Sequence, residues 1–309
     1  MKIKRIFFCV LSLILALQLF SCTASSGNLP SEKETEGPYS IDVCDYNGNS
    51  YTLEKAPAGV YVSSPSAADI IVQLGCARLV KTCSAACKEI EGIPSGAKIA
   101  SDEFVTPEML TKQNVDTVIF SSNENADVEL LKSNGFNVFV FADSGTITTA
   151  ESNIRLAGAI FYKSDRAESI IDDIRDEISL FKSLASKANN SRKVYIEKGT
   201  ADDYYAVGKN TLVNELVEIL GAENAFKDKP GVSKVSLTDM QNANPEIIVS
   251  FIKDEDFTPS DIRKRKGFEE ISACKNGKVF LFSKNFEEVR PSPSLVDSLN
   301  EMAEYIGII

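Results

Sequence analysis

Between Asp165 and Lys187, the apolar residues Ala167, Ile170, Ile171, Ile174, Ile178, Phe181 and Leu184 recur at spacings of three and four. That is the period of one helix face. Roughly 24 residues at 1.5 Å each make a helix ~35 Å long. One small lobe does not need such a helix, but it is long enough to be a strut joining two. Asp165 is placed to cap it. On either side the pattern alternates between strand and helix. Before the helix, Val60–Val62, Leu79-Val80, Thr117–Phe120 and Val138–Phe141 read as strands, with helices over Ala67–Leu74, from Pro107, and over Val128–Ser133. Ala150–Phe161 is a further helix leading into the strut. After it, Val194–Ile196, Ile247–Phe251 and Val279–Phe282 read as strands, with helices over Leu212–Leu220, Leu237–Asn242 and Leu295–Ile306. Such alternation builds a parallel sheet with helices on both faces.

The two halves resemble each other. Val105–Ile119 (VTPEMLTKQNVDTVI) and Val235–Val249 (VSLTDMQNANPEIIV) align without a gap. Each gives a short helix, an asparagine, an acidic residue and an apolar strand. A helix ending in Leu-Gly precedes each, at Leu74-Gly75 and Leu220-Gly221. The expected fold class is therefore α/β: two similar Rossmann-like α/β lobes joined by a single long α-helix, with a ligand cleft between the lobes. The lobes are expected over 39–145 and 191–309, with a helical linker over 146–190. Ile41–Val43 and Tyr51–Leu53 flank Asn47-Gly48 and read as a β-hairpin with an Asn-Gly turn.

The first 38 residues read differently. Lys2, Lys4 and Arg5 precede an apolar run from Ile6 to Phe20, then Ser21-Cys22. A basic start, a short apolar region and a small residue before the cut make a secretory signal over 1–21. About fifteen apolar residues fall short of the ~20 that span a bilayer. A cysteine directly after the cut is what a bacterial lipoprotein signal requires, because its thiolate takes up the diacylglyceryl group. Cys22 is thus the expected lipidation site. The expected location is the extracytoplasmic face of the cell membrane, with lipid as the only membrane contact. Residues 22–38 are small, polar and charged, as a flexible tether would be.

The chain has 33 basic and 44 acidic residues, a net charge of −11. Removing a basic signal makes the remainder more acidic still, which argues against nucleic acid as a partner. Histidine and tryptophan are absent. Without histidine there is no Ser-His-Asp or Cys-His mechanism and no histidine-ligated metal, so an enzyme is not expected. No G-x-S-x-G, P-loop or G-x-G-x-x-G occurs. Beyond Cys9 and Cys22, the cysteines are Cys44, Cys76, Cys83, Cys87 and Cys274. Cys83 and Cys87 can pair in an oxidising environment or stand as free thiols.

Six segments taken in order resemble the ABC-transporter solute-binding proteins for cobalamin, ferric siderophores and haem. They are VYVSSPSAADIIVQLGCARLV, VTPEMLTKQNVDTVIFS, YYAVGKNTLVNELVEILGAENAF, VSLTDMQNANPEIIVS, CKNGKVFLF and RPSPSLVDSLNEMAEYI. Together they cover roughly Tyr39 to Ile306. The resemblance implies a monomeric binding protein without a cofactor of its own. It would hold a small-molecule metal chelate between its lobes and deliver it to an ABC permease dimer with its ATPase. Corrinoid and ferric siderophore are the main ligand choices and haem the third, with a histidine-ligated haem excluded. In the family one carboxylate on each lobe docks onto the permease. Glu108 holds the N-lobe position. The matching C-lobe position is Thr238, which leaves the neighbouring Asp239 as the substitute.

Open α/β sheets bind ligands at the carboxyl ends of their strands. The N-lobe loops there include Ser64, Ser66, Cys83–Cys87, Asp102-Glu103-Phe104 and Ser122. The C-lobe loops include Lys198-Gly199, Tyr204, Tyr205, Lys234 and Asn285–Arg290. Aromatic side chains stack on flat ligands and basic ones meet anionic groups. Ser64, Ser66, Phe104, Ser122, Tyr204, Tyr205, Lys234 and Arg290 are therefore the expected ligand contacts. The basic run Lys264-Arg265-Lys266 reads as a solvated helix face. Two alternatives remain: a surface sensor or adhesion lipoprotein that kept the fold without transport, suggested by Thr238, and a carboxylate-dependent hydrolase.

Overall fold

A computed structural model describes residues 40–100, 105–122, 128–188, 191–200 and 203–309. The signal, the tether with Cys22, and Phe104 lie outside the described residues. The chain enters with a hairpin, β1 (Ile41–Cys44) against β2 (Ser50–Leu53), antiparallel with Cys44 opposite Ser50. Its turn is a five-residue loop and not a two-residue Asn-Gly turn. Asp45 organises it: Oδ1 accepts from the backbone N–H of Asn47 (3.0 Å) and of Asn49 (2.9 Å), and Gly48 takes φ +80°.

The first sheet contains β3 (Val60–Val62), β4 (Val80–Cys83), β5 (Lys98–Ile99), β6 (Thr117–Ser121) and β7 (Asn137–Phe141). Its order is β5-β4-β3-β6-β7, and every pairing is parallel. Between the strands lie α1 (Pro65–Gln73), α2 (Ala85–Lys88), α3 (Pro107–Lys112) and α4 (Val128–Ser133). Alternation along β3 places Val60 and Val62 on one face, packed with Ile70, Ile71 and Ile154. Tyr61 faces the other way, with Leu110, Phe120 and Leu131. Both faces are covered, which is why the central strands β3 and β6 are buried throughout, while the edge strand β5 is exposed.

Two helices follow: α5 (Ile147–Ile160) and α6 (Ser164–Ala188). The second is the strut that the period requires, 25 residues long. Ala167, Ile170, Ile171, Ile174, Ile178, Phe181 and Ala185 form its buried stripe, and Leu184 is half-buried beside it. The helix starts one residue before Asp165, so Asp165 sits in the first turn, where its charge favours the helix N-terminus, and is not the cap. The two helices pack closely because Gly158 has no side chain. A Cβ there would come within 2.5 Å of the Ala167 methyl.

The second sheet contains β8 (Lys193–Glu197), β9 (Tyr205–Val207), β10 (Glu223–Asn224), β11 (Val232–Lys234), β12 (Ile247–Ser250) and β13 (Val279–Leu281). Its helices are α7 (Leu212–Ile219), α8 (Leu237–Ala243), α9 (Pro259–Arg263), α10 (Ser272–Lys275) and α11 (Leu295–Ile306). β8, β12 and β13 run parallel. β9 pairs antiparallel with the end of β8, and β11 antiparallel with β9. The second sheet is therefore mixed: a parallel centre with an antiparallel edge.

The internal repeat is visible in side-chain roles. Asn114 and Asn244 occupy the same repeat position, and both take left-handed backbone (φ 55° and 43°) just after α3 and α8. Asparagine tolerates that conformation better than most residues. Two positions on, Asp116 accepts from Ala58 N–H at 3.0 Å and Glu246 from Lys193 N–H at 3.3 Å. Each carboxylate thus pins the chain entering the first strand of its sheet. One buried cluster runs from Val62 and Ile71 through Ile174 and Phe181 to Val249 and Leu299. The two sheets share this core on the side of α6. Among the described residues, no helix is long and apolar enough to cross a membrane.

Candidate functional site

Ser63-Ser64-Pro65-Ser66 turns the chain from β3 into α1. Pro65 stands at the first helical position, where its missing N–H costs nothing. Ser64 Oγ accepts from Ala67 N–H at 3.1 Å and donates to Asp143 Oδ1 at 2.9 Å. Ser66 N–H donates to the same Asp143 oxygen at 2.7 Å. Ser64 and Ser66 are fully buried. Ser64 is committed to capping, while Ser66 Oγ and Asp143 Oδ2 are buried without a hydrogen-bond partner. Ser84 caps α2 through Cys87 N–H at 3.3 Å. The five described cysteines are free thiols. Burial pushes the Cys87 thiol up to about 12, with Asp143 adding to the rise and Arg290 opposing it. Ser122 closes β6, its N–H donating to Phe141 O at 2.8 Å.

In the second sheet the strand ends carry a buried charge cluster. Glu197, the last residue of β8, is fully buried and ion-paired to Arg265, whose side chain is 7% exposed. Ser250 Oγ, at the end of β12, donates to Glu197 Oε2 at 2.8 Å. Burial beside Glu197 holds the Tyr195 phenol well above its ordinary range. The Arg265 guanidinium lies 5.1, 5.6 and 5.4 Å from the ring centres of Tyr204, Phe257 and Phe268. Arg265 is thus no part of a solvated face, whereas Lys264 and Lys266 on either side are exposed. The chain turns after α9 and aims Arg265 inward at the only kind of partner that offsets its charge. Tyr205 stands next to this cluster, with Lys234 Nζ 5.9 Å from its ring centre and 2.6 Å from Asp203 Oδ1. Tyr204, Tyr205 and Lys234 are therefore brought together, and Arg265 and Glu197 join them although sequence reasoning passed over both.

The segment after β13 crosses back to the first sheet. Lys198 pairs with Glu287 and lies over the Phe286 ring. Ser292 Oγ donates to Asp69 Oδ2 at 2.6 Å, and Ser294 N–H donates to the same oxygen at 3.1 Å. Asn153 on α5 donates to Ala142 O at 2.8 Å and to Pro291 O at 3.2 Å. A groove of about 970 Å³ opens between α1, α6 and this segment, with Pro65, Ala86, Ile170, Arg290 and Val296 in its walls. Arg290 lines it, and its Nε is buried without a partner. Tyr205 on β9, Tyr204 just before it and Lys234 on β11 are not among the residues lining this groove.

Glu108 is exposed in the first turn of α3. Asp239 is exposed in the first turn of α8 but engaged: its Oδ2 accepts from Ser236 N–H at 2.9 Å and Ser236 Oγ at 2.8 Å. Those bonds hold its carboxyl below the usual range. Among the described residues, no group of three or more acidic or sulfur side chains could hold a metal ion.

Two α/β sheets that share a helical core, with polar and aromatic side chains gathered at their strand ends, are the architecture of a two-lobed ligand-binding protein. The chain belongs to the periplasmic binding protein family, which residues 99–285 match. It is 24% identical over 311 residues to the uncharacterised ABC transporter substrate-binding lipoprotein YvrC of Bacillus subtilis, covering 95% of this chain and 94% of that one. It is similar to a possible iron-binding periplasmic solute-binding protein from Staphylococcus epidermidis (TM-score 0.72, 25% identity, 82% of this chain and 99% of the other). It shares its fold with a periplasmic binding protein from Veillonella parvula (TM-score 0.72, 18% identity, 88% and 98%). The periplasmic heme-binding protein RhuT from Roseiflexus has the same fold (TM-score 0.67, 17% identity, 80% and 97%). Members of this family bind ligands and do not convert them, and they need no resident cofactor. The hydrolase reading falls with that.

Proposed function

We propose that this protein is the extracytoplasmic, lipid-anchored solute-binding component of an ABC importer, and that its cargo is a metal-chelate nutrient. The observation that carries the reading is the pair of α/β sheets joined through α6, with unpartnered polar groups and aromatic rings at the strand ends. Ligand pockets combine such apolar walls with a few polar anchors. The lobes are 39–145 and 191–309, linked by 146–190, and the ligand lies between them. Ferric siderophore and corrinoid remain the main cargo classes, haem the third. The possible iron-binding and the heme-binding proteins of the same fold favour this range over a sugar or an amino acid. Tyr204, Tyr205, Lys234, Arg290 and Ser122 are the proposed contacts among the described residues; Phe104, also proposed, lies outside them. Ser64 and Ser66, both buried, shape the β3–α1 turn of the first lobe.

A thermal-shift screen of the folded protein against corrinoids, ferric siderophores and haem tests the cargo. A ligand at ~100 times its dissociation constant adds about 2.7 kcal/mol of stability. A shift with one chelate class supports the reading; no shift with any of them overturns it.

Glu108 is the proposed permease-docking carboxylate of the first lobe and Asp239 that of the second. Glu108→Ala is expected to abolish most uptake while leaving ligand affinity unchanged, as read by radiolabelled uptake beside calorimetric binding. Unchanged uptake would favour the sensor reading. Asp239→Ala is expected to act less, since one oxygen of that carboxylate already serves α8. Cys22 is the proposed lipid attachment. Cys22→Ser should move the protein from the membrane pellet to the soluble fraction after export, and continued pelleting of that variant would count against a lipid anchor.

A further inference from the structure

The groove along α1, α6 and the segment after β13 has an apolar floor and acidic walls. Ile170 and Ile174 of α6 are buried in the floor, with Val72 and Val296 half-buried beside them. The acids come from three directions. Asp69 stands on α1, Glu89 and Glu91 follow α2, and Asp173 and Glu177 lie one turn apart on α6. Among the described residues none of these five forms an ion pair. The other acids of the groove are engaged: Lys284 pairs with Asp297 at 3.7 Å, Lys198 pairs with Glu287, and Glu288 Oε2 accepts from Asn285 N–H at 2.9 Å. Of the lining cations, Arg166 and Arg290 are left to oppose the five, and Arg166 Nε donates to Gln73 O at 3.4 Å. Asp69 is the most telling of the acids. It is 8% exposed, its Oδ2 accepts from Ser292 and Ser294, and its Oδ1 has no hydrogen-bond partner among the described residues although the side chain lines the groove. A carboxylate oxygen so enclosed is poorly served by water and gains most from a charged donor. Charges of one sign along low-dielectric walls also concentrate counter-ions between them.

We propose that this groove binds an aliphatic di- or polyamine, at a site separate from the cargo contacts Tyr204, Tyr205 and Lys234. Alkylammonium groups keep their charge at neutral pH, as that of lysine does. The methylene chain covers Ile170, Ile174 and Val296, and the ammonium groups donate to carboxylates on different walls, Asp69 Oδ1 among them. A compact metal ion would leave the apolar floor bare, and a single ammonium would meet one wall alone. The walls belong to α1, α6 and the segment that carries Arg290, so an occupant also holds those three together. The inference stands whichever chelate is the cargo.

Calorimetric titration of the full mature chain tests this, in about 0.15 M salt, where attraction beyond ~8 Å is screened. The probes are 1,4-diaminobutane, spermidine, 1-butylamine and magnesium ion. The diamine and spermidine should bind saturably, and 1-butylamine and magnesium about tenfold more weakly or worse. Asp173 is exposed and Glu177 half-buried, so Asp173→Asn with Glu177→Gln should fold as the wild type does, melting cooperatively, and should weaken spermidine about tenfold. Asp172→Asn with Asp176→Asn removes the same charge from α6 outside the groove and should leave spermidine binding unchanged. Equal losses in the two double variants would mean diffuse attraction to an acidic helix and would overturn the inference. So would failure of both the diamine and spermidine to bind folded wild type, or binding of 1-butylamine or magnesium as tight as theirs. None of these results bears on the transport reading, which the chelate screen tests by itself.

Discussion

Glu197→Ala is expected to cost about 3–5 kcal/mol of stability, the usual loss when one partner of a buried ion pair is removed. The reason is the state of the partner left behind. The Arg265 side chain is 7% exposed and Glu197 fully buried, so the remaining guanidinium would sit uncompensated among Tyr204, Phe257 and Phe268. Arginine side chains keep their charge inside proteins. Ser250 Oγ would lose its acceptor in the same step. Surface pairs offer the contrast. Lys227–Glu223 is about half exposed on both sides, and breaking it should cost far less because solvent screens the pair. The double replacement Glu197→Gln with Arg265→Gln should recover most of the loss, since replacing a whole buried pair is often nearly neutral. Urea unfolding of the three variants reads the difference. A loss under about 1 kcal/mol for Glu197→Ala would show that water reaches the guanidinium freely.

That pair also marks where sequence reading stops. Lys264-Arg265-Lys266 looks like a solvated run because neighbours in sequence share a charge. Fold geometry separates them, and the partner Glu197 lies 68 residues upstream. One signal was available. Glu197 ends the strand KVYIE, and an acid closing a buried parallel strand needs a cation or a hydroxyl from another element. Asp143 gives the same signal two residues after β7. The long helix was legible because its apolar period persists for many turns. The repeat was legible because Asn114 and Asn244 mark equivalent helix ends and Asp116 and Glu246 equivalent strand entries. The antiparallel edge of the second sheet was not legible: β9 and β11 have three residues each, too few to show a period. Ser64 and Ser66 were read as ligand contacts, yet Ser-Pro at a strand-to-helix turn is also a capping signature, and the structure uses Ser64 that way.

Asp69→Ala is expected to cost about 2–4 kcal/mol and to loosen the segment that carries Arg290. Asp69 lies on α1 of the first sheet, buried, and its carboxylate accepts from Ser292 Oγ and Ser294 N–H just ahead of α11. Hydrogen bonds to a charged group are worth about 1.5–3 kcal/mol each, and a buried donor left unpaired adds its own penalty. Ser292 is fully buried, so water does not replace the lost acceptor. Asp69→Asn keeps one acceptor oxygen and should cost less than half as much. The consequence reaches the site because two further side chains tie the sheets together nearby. Asn153 joins Ala142 O to Pro291 O, and Glu215 Oε2 accepts from Ile147 N–H at 2.7 Å. Three polar clips, on α1, α5 and α7, therefore join the two sheets over a shared apolar core. A hinge that opened widely would have to strip each of them from its partner, so this protein is built to present a nearly preformed cleft. Hydrogen exchange checks both claims. In the wild type the amides of Ser292, Ser294 and Ile147 should exchange only through large-scale opening. In Asp69→Ala, those of Ser292 and Ser294 should exchange through local opening, with Ile147 still protected. Rapid exchange at all three in the wild type would mean that the lobes separate freely and that these bonds do not hold them.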